Sequence, residues 1–350
     1  MVMIKRVTQA DYDKYTAFLE ENEHSHFMQS AQWGEFKKKQ KSFMIMSLDD
    51  SENVRGVMLL FLQEVRHTKK KYLYAPRGPI CNRNNAEVLA ELLEEAEKIA
   101  KENKAYKLTL DPDITTSDEV WLKYFESIGA RIGENRCDNG ILQPLSVFRI
   151  DVNKTDDELM TSYHSKARYS VRSSIKSGAV CRVGGREDIP VFCELLANTA
   201  KKDGFTARGC EYFYDMYDAM GKECFKVFVV EYEGTPIAAS VLLKFGKKTW
   251  HMYAGSSDEY KETSPNFLMQ WEMQRWSRDN GAFLYDMRGI AGEGDKLTPI
   301  EGLVRFKKRF GGELCSFVGR IDIVYNKLDE SYVRIMRKLA VFVRRIRGRK

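Results

Sequence analysis

The stretch from Tyr285 to Gly312, YDMRGIAGEGDKLTPIEGLVRFKKRFGG, gathers residue types that can do chemistry. A short apolar strand runs into Asp286 and Arg288, and a loop follows that holds Gly289, Gly292 and Gly294. Pro299 and Glu301 then open a short helix carrying Arg305, Phe306, Lys307, Lys308 and Arg309. Gly311 and Gly312 close it, as a left-handed C-cap requires. A flexible loop beside clustered cations can build a site for an anionic substrate. The plainer alternative is a basic helix end that faces water. Two further pairs have the same character. Arg168 and Arg172, four apart on one helical face, could grip phosphates or merely solvate the helix. Arg208 and Tyr212 stand four apart around a loop-to-helix junction, a plausible clamp for an anionic head group.

These side chains need a scaffold, and 350 residues with 43% hydrophobic content are enough for two domains with cores of their own. No run approaches the ~18 to 20 apolar residues of a membrane span, and the start MVMIKRVTQADYDKY has no signal-peptide core. The seven cysteines are scattered, odd in number and form no CxxC pair, and the five histidines have no metal-ligand spacing. Free thiols, a reducing compartment, a cytosolic protein and no metal or cofactor are therefore expected. The formal charge of +6 is a local matter. Residues 334–350 carry eight basic side chains and no acidic one, so without them the balance turns slightly negative.

Periodicity places the elements. Strands are read at 42–47, 56–65 and 72–75, then a helix with Val88, Leu92, Ala96 and Ile99 (and Leu89, Leu93, Ala100) on one face, then the strand YKLTL ending at Asp111-Pro112. The same order recurs as KVFVVEY, IAASVLLKF and TWHMYA, the helix PNFLMQWEMQRWSRDNG, and the strand AFLYD. On this register YAPRGP matches MYAGSS and Asp111 matches Asp286. A capping box at Thr155 and Glu158 starts a helix running to about Lys176, and a second helix spans about Pro190 to Lys202. The expected fold is mixed α/β (α+β): two GNAT-like acyltransferase domains, duplicated, one over 1–148 completed by 322–350 and one over 149–321. No GxGxxG follows a strand and no GxxxxGK[ST] is present, so nucleotide-binding folds lack their phosphate signature.

Pieces along nearly the whole chain carry a resemblance. They are QSAQWGEFK (29–37), YAPRGPI (74–80), LTLDPD (108–113), HSKARYSVRSSIKSG (164–178), DGFTAR (203–208), MYAGSS (252–257) and GLVRFKKRFGG (302–312). In this order they resemble the Fem family (FemABX) of aminoacyl-tRNA-dependent peptidyltransferases, which add bridge amino acids to peptidoglycan precursors. The resemblance implies two GNAT-like domains, aminoacyl-tRNA as co-substrate, and UDP-MurNAc-pentapeptide or lipid II as acceptor. It implies that Lys37, Arg208 and Tyr212 contact the muramyl precursor, with Tyr106, Thr206 and Tyr253 lining the same cleft. Asp111 matches the acidic residue considered as general base, and Phe306-Lys307 the pair at the tRNA acceptor end, where the lysine would stabilise the reacting ester. Two departures stand out: no sustained heptad run precedes residue 328, so this is an armless member, and Lys39 stands where an aromatic is expected.

The chemistry suits these residue types. An aminoacyl ester is already activated, so the attacking amine need only be neutral and well placed. The tetrahedral intermediate wants a cation or donor for its oxyanion, and Phe306 could stack on the terminal adenine. Asp111 could accept the amine's proton, or simply terminate its strand as Asp-Pro. A GNAT enzyme using acetyl-CoA shares the fold, but its pyrophosphate loop needs a basic, glycine-rich turn before a helix, and MYAGSSDEYKETSPNF is acidic there. A non-enzymatic RNA- or membrane-binding protein explains the tail but not the interior residues. From Leu328 on, Tyr332, Met336, Leu339, Val343 and Ile346 recur every three to four residues with a cationic remainder. That stripe could pack on the first domain, leave its cations for the tRNA backbone, or attach the protein to the inner face of the membrane.

Overall fold

The computed structural model describes residues 3–133, 136–137, 140–289 and 301–347. The chain divides into two compact units, residues 1–145 with 317–350, and residues 146–316. The first unit begins with β1 (Met3–Arg6), α1 (Tyr12–Glu21), α2 (Ala31–Phe36), β2 (Ser42–Leu48), β3 (Val54–Glu64) and β4 (Lys71–Ala75). It continues through α3 (Glu87–Glu102), β5 (Ala105–Leu110), α4 (Glu119–Ser127) and β6 (Arg131–Gly133). The second unit holds β7 (Ser146–Asp151), α5 (Asp156–Ser162), α6 (Ser165–Lys176), β8 (Val180–Gly184), α7 (Ile189–Asp203) and α8 (Cys210–Met220). Then come β9 (Phe225–Tyr232), β10 (Thr235–Phe245), β11 (Lys248–Ser256), α9 (Pro265–Asp279), β12 (Leu284–Gly289), α10 (Glu301–Lys307) and β13 (Glu313–Ser316). The chain finally returns to the first unit with β14 (Arg320–Val324) and α11 (Lys327–Arg347).

The two sheets have one topology. Their strand orders are β1-β2-β3-β4-β5-β14-β6 and β8-β9-β10-β11-β12-β7-β13, so these seven strands correspond one to one, and the first sheet adds a short strand, Ile80–Cys81, paired with β3. In both, three antiparallel pairings lead to one parallel pair, β4/β5 and β11/β12, made by a crossover helix. In both, the sixth strand comes from far away in sequence, β14 beside β5 and β7 beside β12. The duplication is therefore real at the level of pairing. The expected match of Asp111 with Asp286 is not: Asp111 lies one residue past β5, while Asp286 is the third residue of β12.

Each core follows the periodicity that the sequence displays. The seven apolar residues on one face of α3 are all buried, against Ile45, Met58, Leu60, Leu73 and Leu108 of the sheet. The helix expected from Thr155 to Lys176 has its capping box but is two helices. Tyr163 turns to an extended backbone (ψ 148°) and His164 caps the second helix, accepting the Lys166 N–H through Nδ1. The break lets the buried Tyr163 donate to Gln274 of α9 at 2.7 Å. Arg168, read as half of a phosphate grip, instead donates to the carbonyl oxygens of Thr161 and Tyr163 and closes the first helix.

The thiol expectation also changes. Cys193 on α7 and Cys210 at the start of α8 are joined in a disulfide, while Cys81 and Cys181 are free thiols. Their separation of 17 residues gives no hint of this. It follows from the packing of α7 on α8, whose Phe192 and Phe213 rings meet edge to face at 4.8 Å.

Candidate active site

In the second unit the site grows from an unfinished strand pair. Strand β11 and strand β12 are in register only from Lys248/Leu284 to Trp250/Asp286, although β11 runs on to Ser256 and β12 to Gly289. Beyond Asp286, β12 has no pairing with β11 and keeps only an irregular one with β7, at Val147/Gly289. Lys307 of α10 supplies donors there: its buried Nζ donates to the carbonyls of Met287 and Gly289 at 2.6 Å each and of Arg288 at 3.4 Å. The three carbonyls converge because Arg288 adopts φ +61°, a left-handed conformation uncommon outside glycine. Its N–H in turn donates to Asp286 Oδ1 at 2.6 Å. Asp286 is buried and also accepts Arg149 Nε at 3.0 Å. Burial pushes the Lys307 ammonium down to about 8; the charge of Asp286 opposes the shift and Arg288 adds to it.

Strand β11 contributes from both faces. Opposite Val241 and Leu242 of β10 stand Tyr253 and His251, so Met252 is the extra residue of a β-bulge that turns its two neighbours to opposite sides. His251 meets Gln270 of α9, which gives its Nε2 to His251 Nδ1 at 3.2 Å and accepts the Tyr285 hydroxyl at 2.7 Å. With Nδ1 an acceptor, His251 carries its proton on Nε2, and that atom is buried without a hydrogen-bond partner among the described residues. Burial, with a smaller contribution from the Lys307 charge, pushes this imidazole down to about 3, so it is a neutral donor. Tyr253 instead meets α8, its hydroxyl 3.2 Å from that of Tyr212. The Arg208 guanidinium lies 5.3 Å from the Tyr212 ring centre. Burial raises the Tyr212 phenol, while the charges of Arg208 and Arg288 oppose the shift, which ties this pair electrostatically to the end of β12.

Local sequence explains how these pieces are held. Gly204 ends α7 at φ +73°, and the disulfide fixes the far end of the exposed loop that carries Thr206 and Arg208. Gly255 is needed because α7 crosses β11 so closely that a Cβ there would lie 2.3 Å from the Leu196 nitrogen. Gly311 gives α10 its expected left-handed end at φ +68°. Phe306 packs against Phe267 and Phe310, each at 5.0 Å, and remains only half-buried. Gly292, Gly294 and Pro299 lie outside the described residues.

The first unit presents a different site, a cavity of about 220 Å³ lined by Trp33, Lys37, Gln40, Gln63, Tyr72, Tyr74 and Gln143 among others. The Lys37 ammonium lies 4.1 Å from the Phe36 ring centre and 5.0 Å from that of Trp33. Asp111 lies beneath, fully enclosed. Its Oδ2 accepts the Tyr74 hydroxyl at 2.9 Å and the Gln143 N–H at 3.1 Å, and its Oδ1 accepts the Arg77 N–H at 2.8 Å. Burial raises this carboxyl despite the nearby Arg77. A carboxylate with both oxygens committed holds a wall in place. Tyr106, expected to line a cleft, is buried with Val65, Tyr72 and Val333 of α11.

Asp111→Ala is accordingly expected to strand three donors, one buried and two partly buried, costing about 3 kcal/mol and lowering the melting temperature by on the order of 10 °C. Thermal denaturation checks this. An unchanged melt, with loss of the rising side of the pH–rate profile, would instead mark Asp111 as a proton acceptor.

The FemAB family model matches residues 8–232 and 222–338, nearly the full length. This chain belongs to the FemAB family. A lipid II:glycine glycyltransferase of Staphylococcus epidermidis is 25% identical, with 93% of this chain and 97% of the relative covered. That alignment runs over 404 positions, more than the 350 residues here, so the relative carries insertions that this chain lacks. The crystal structure of FemX superposes with a TM-score of 0.87 at 24% identity, covering 94% of this chain and 99% of that one. A tandem GNAT protein from the clavulanic acid biosynthesis pathway gives 0.53 at 10% identity, covering 93% and 99%. The fold is thus the FemAB family's, built from two GNAT-like units.

Two parts of the second-unit site had no reading in the sequence. Gln270, Gln274 and Ser277 form a buried polar row on α9, visible in retrospect as polar residues at helical spacing on an otherwise apolar face. His251 is a single histidine in a strand and gives no such signal.

Proposed function

We propose that this protein transfers an amino acid from aminoacyl-tRNA to an amine on the stem peptide of a peptidoglycan precursor, lipid II or UDP-MurNAc-pentapeptide, and so builds the interpeptide bridge. The neutral amine attacks the ester carbonyl, forming a C–N bond. The C–O bond to the tRNA ribose then breaks, and the proton lost by the amine ends on the ribose oxygen. The observation that carries this reading is Lys307 in the opening between β11 and β12. Two of its N–H groups are firmly held, and the third makes only the 3.4 Å contact to Arg288. That donor can turn to the oxyanion while the others keep the ammonium in place. The partly exposed ring of Phe306, next in sequence, is available to stack on the terminal adenine.

Arg208, Tyr212 and Tyr253 would hold anionic groups of a substrate in the second unit, with Thr206 on the loop beside them. Lys37 would do so in the first unit's cavity. Asp111 and Tyr106 act through the walls they support. The name of the staphylococcal relative supports a lipid-linked acceptor.

Purified protein, incubated with glycyl-, alanyl- or seryl-tRNA and a muramyl-pentapeptide precursor in soluble or lipid-linked form, should yield a precursor longer by one amino acid. Ribonuclease treatment should abolish the product. Transfer that survives ribonuclease and requires acetyl-CoA would replace this reading, and failure of a folded sample with every combination would end it.

A further inference from the structure

Helix α11 is attached through its first half only, as far as Arg337, whose charge acts on the buried Tyr106. The Asn326 side chain caps it, accepting the Leu328 and Asp329 N–H groups at 3.0 and 3.1 Å. Asp329 pairs with Lys70, Glu330 pairs with Arg131, and Val333 is buried in the first unit's core. Val333 stands off the apolar stripe, and the stripe itself is uncovered. Leu328, Tyr332, Ile335, Leu339, Phe342 and Val343 are 42–82% exposed. Their spacing puts them in one arc ~100° wide at ~100° per residue. Of the stripe expected from the sequence, Leu328, Tyr332, Leu339 and Val343 are exposed and Met336 is partly buried, so those four do not pack on the first domain. The stripe is displaced around the helix from the side that Val333 buries.

What covers such a face must satisfy both an apolar arc and a high density of positive charge, since residues 334–350 hold eight cations and no anion. RNA would meet the cations and leave the arc in water. A second copy of the helix would cover the arc and bring two cationic surfaces together. A bilayer surface containing anionic lipid meets both, its acyl boundary taking the arc and its head groups the cations. Among the described residues no helix is long and apolar enough to cross a membrane, so α11 would lie in the interface. We infer that α11 docks this protein onto an anionic membrane surface through the Leu328–Val343 stripe, with its basic flank against the lipid head groups. This rests on the helix alone and holds whatever the reaction of the site.

The full chain should co-sediment with vesicles of equal parts phosphatidylglycerol and phosphatidylcholine, and far less with phosphatidylcholine alone. Leu339→Asp with Phe342→Asp should lower that binding at least about tenfold and leave the melt unchanged, since both residues are exposed. Removing the helix by truncation after Asn326 is a poorer test, because it also removes Val333 from the core. Arg334→Gln and Lys338→Gln should each lower binding about fivefold, equivalent to the roughly 1 kcal/mol a basic residue contributes near anionic lipid. No sedimentation of the full chain with anionic vesicles would overturn the proposal, as would full binding by the double aspartate variant. A dimer abolished by those aspartates, or tRNA binding lost with the two glutamines, would overturn it in favour of a second copy or of RNA if vesicles fail to bind.

Discussion

Replacing Lys307 with alanine should lower kcat for aminoacyl transfer by roughly 10²- to 10³-fold, the usual cost of one oxyanion-stabilising donor. Arg208→Ala should instead raise KM with kcat little changed, because a phosphate contact serves ground and transition states alike. The alanine variant also frees the carbonyls of Met287 and Gly289, so lost stability must be separated from lost chemistry. The pH–rate profile does so. With an ammonium that titrates at about 8, kcat should rise with pH as the acceptor amine loses its proton and fall again as Lys307 loses its own near pH 8. Lys307→Arg keeps a charge that does not titrate in this range, so the falling side should vanish. A falling side that persists in the arginine variant, or full turnover in the alanine variant, would remove Lys307 from the chemistry.

Asp286→Asn is expected to be the most damaging conservative change in the second unit. The amide can still accept the Arg288 N–H, but Arg149 and Lys307 lose the carboxylate that balances them. Breaking a buried ion pair by removing one partner costs about 3 to 5 kcal/mol, which a urea melt will register. The same substitution should move the falling side of the pH profile below 8, since an opposite charge that favours the ammonium is gone. Linkage gives a second check. Lys307 titrates at about 8 when folded against 10.5 for a free lysine, so between these values the unfolded chain binds more protons. This group therefore makes stability rise with pH across that window, and in the asparagine variant the rise should begin at lower pH. An unshifted profile together with an unchanged urea midpoint would show that Asp286 does not govern Lys307.

Local rules were enough to read much of the fold. The buried face of α3, the Thr155 capping box, the left-handed end at Gly311 and the repeated meander–helix–strand order all depend on neighbours within a few residues. Their free energies are set by hydrophobic period, caps and φ, which a sequence displays directly. Arg208 and Tyr212 could be read together because they stand four residues apart at one loop-to-helix edge, whereas the Phe306-Lys307 pair came only from the family resemblance.

What the tertiary structure alone decided are the places where distant groups compete for one partner. Asp111 ends its strand as the sequence suggests, but only the arrival of Tyr74, Arg77 and Gln143 shows both oxygens committed. Arg168 sits on the expected helix, yet the break at Tyr163 gives it carbonyl oxygens to close. Cys193 and Cys210 become partners through helix packing, and His251 reaches Gln270 because a bulge at Met252 turns it from Tyr253. Lys307 is the clearest case. Its sequence neighbours make it one cation among several, whereas in the folded second unit its ammonium bridges the carbonyl oxygens of Met287 and Gly289 where the β11/β12 pairing has ended. Burial then lowers its affinity for the proton, a property of the folded environment that no local pattern encodes.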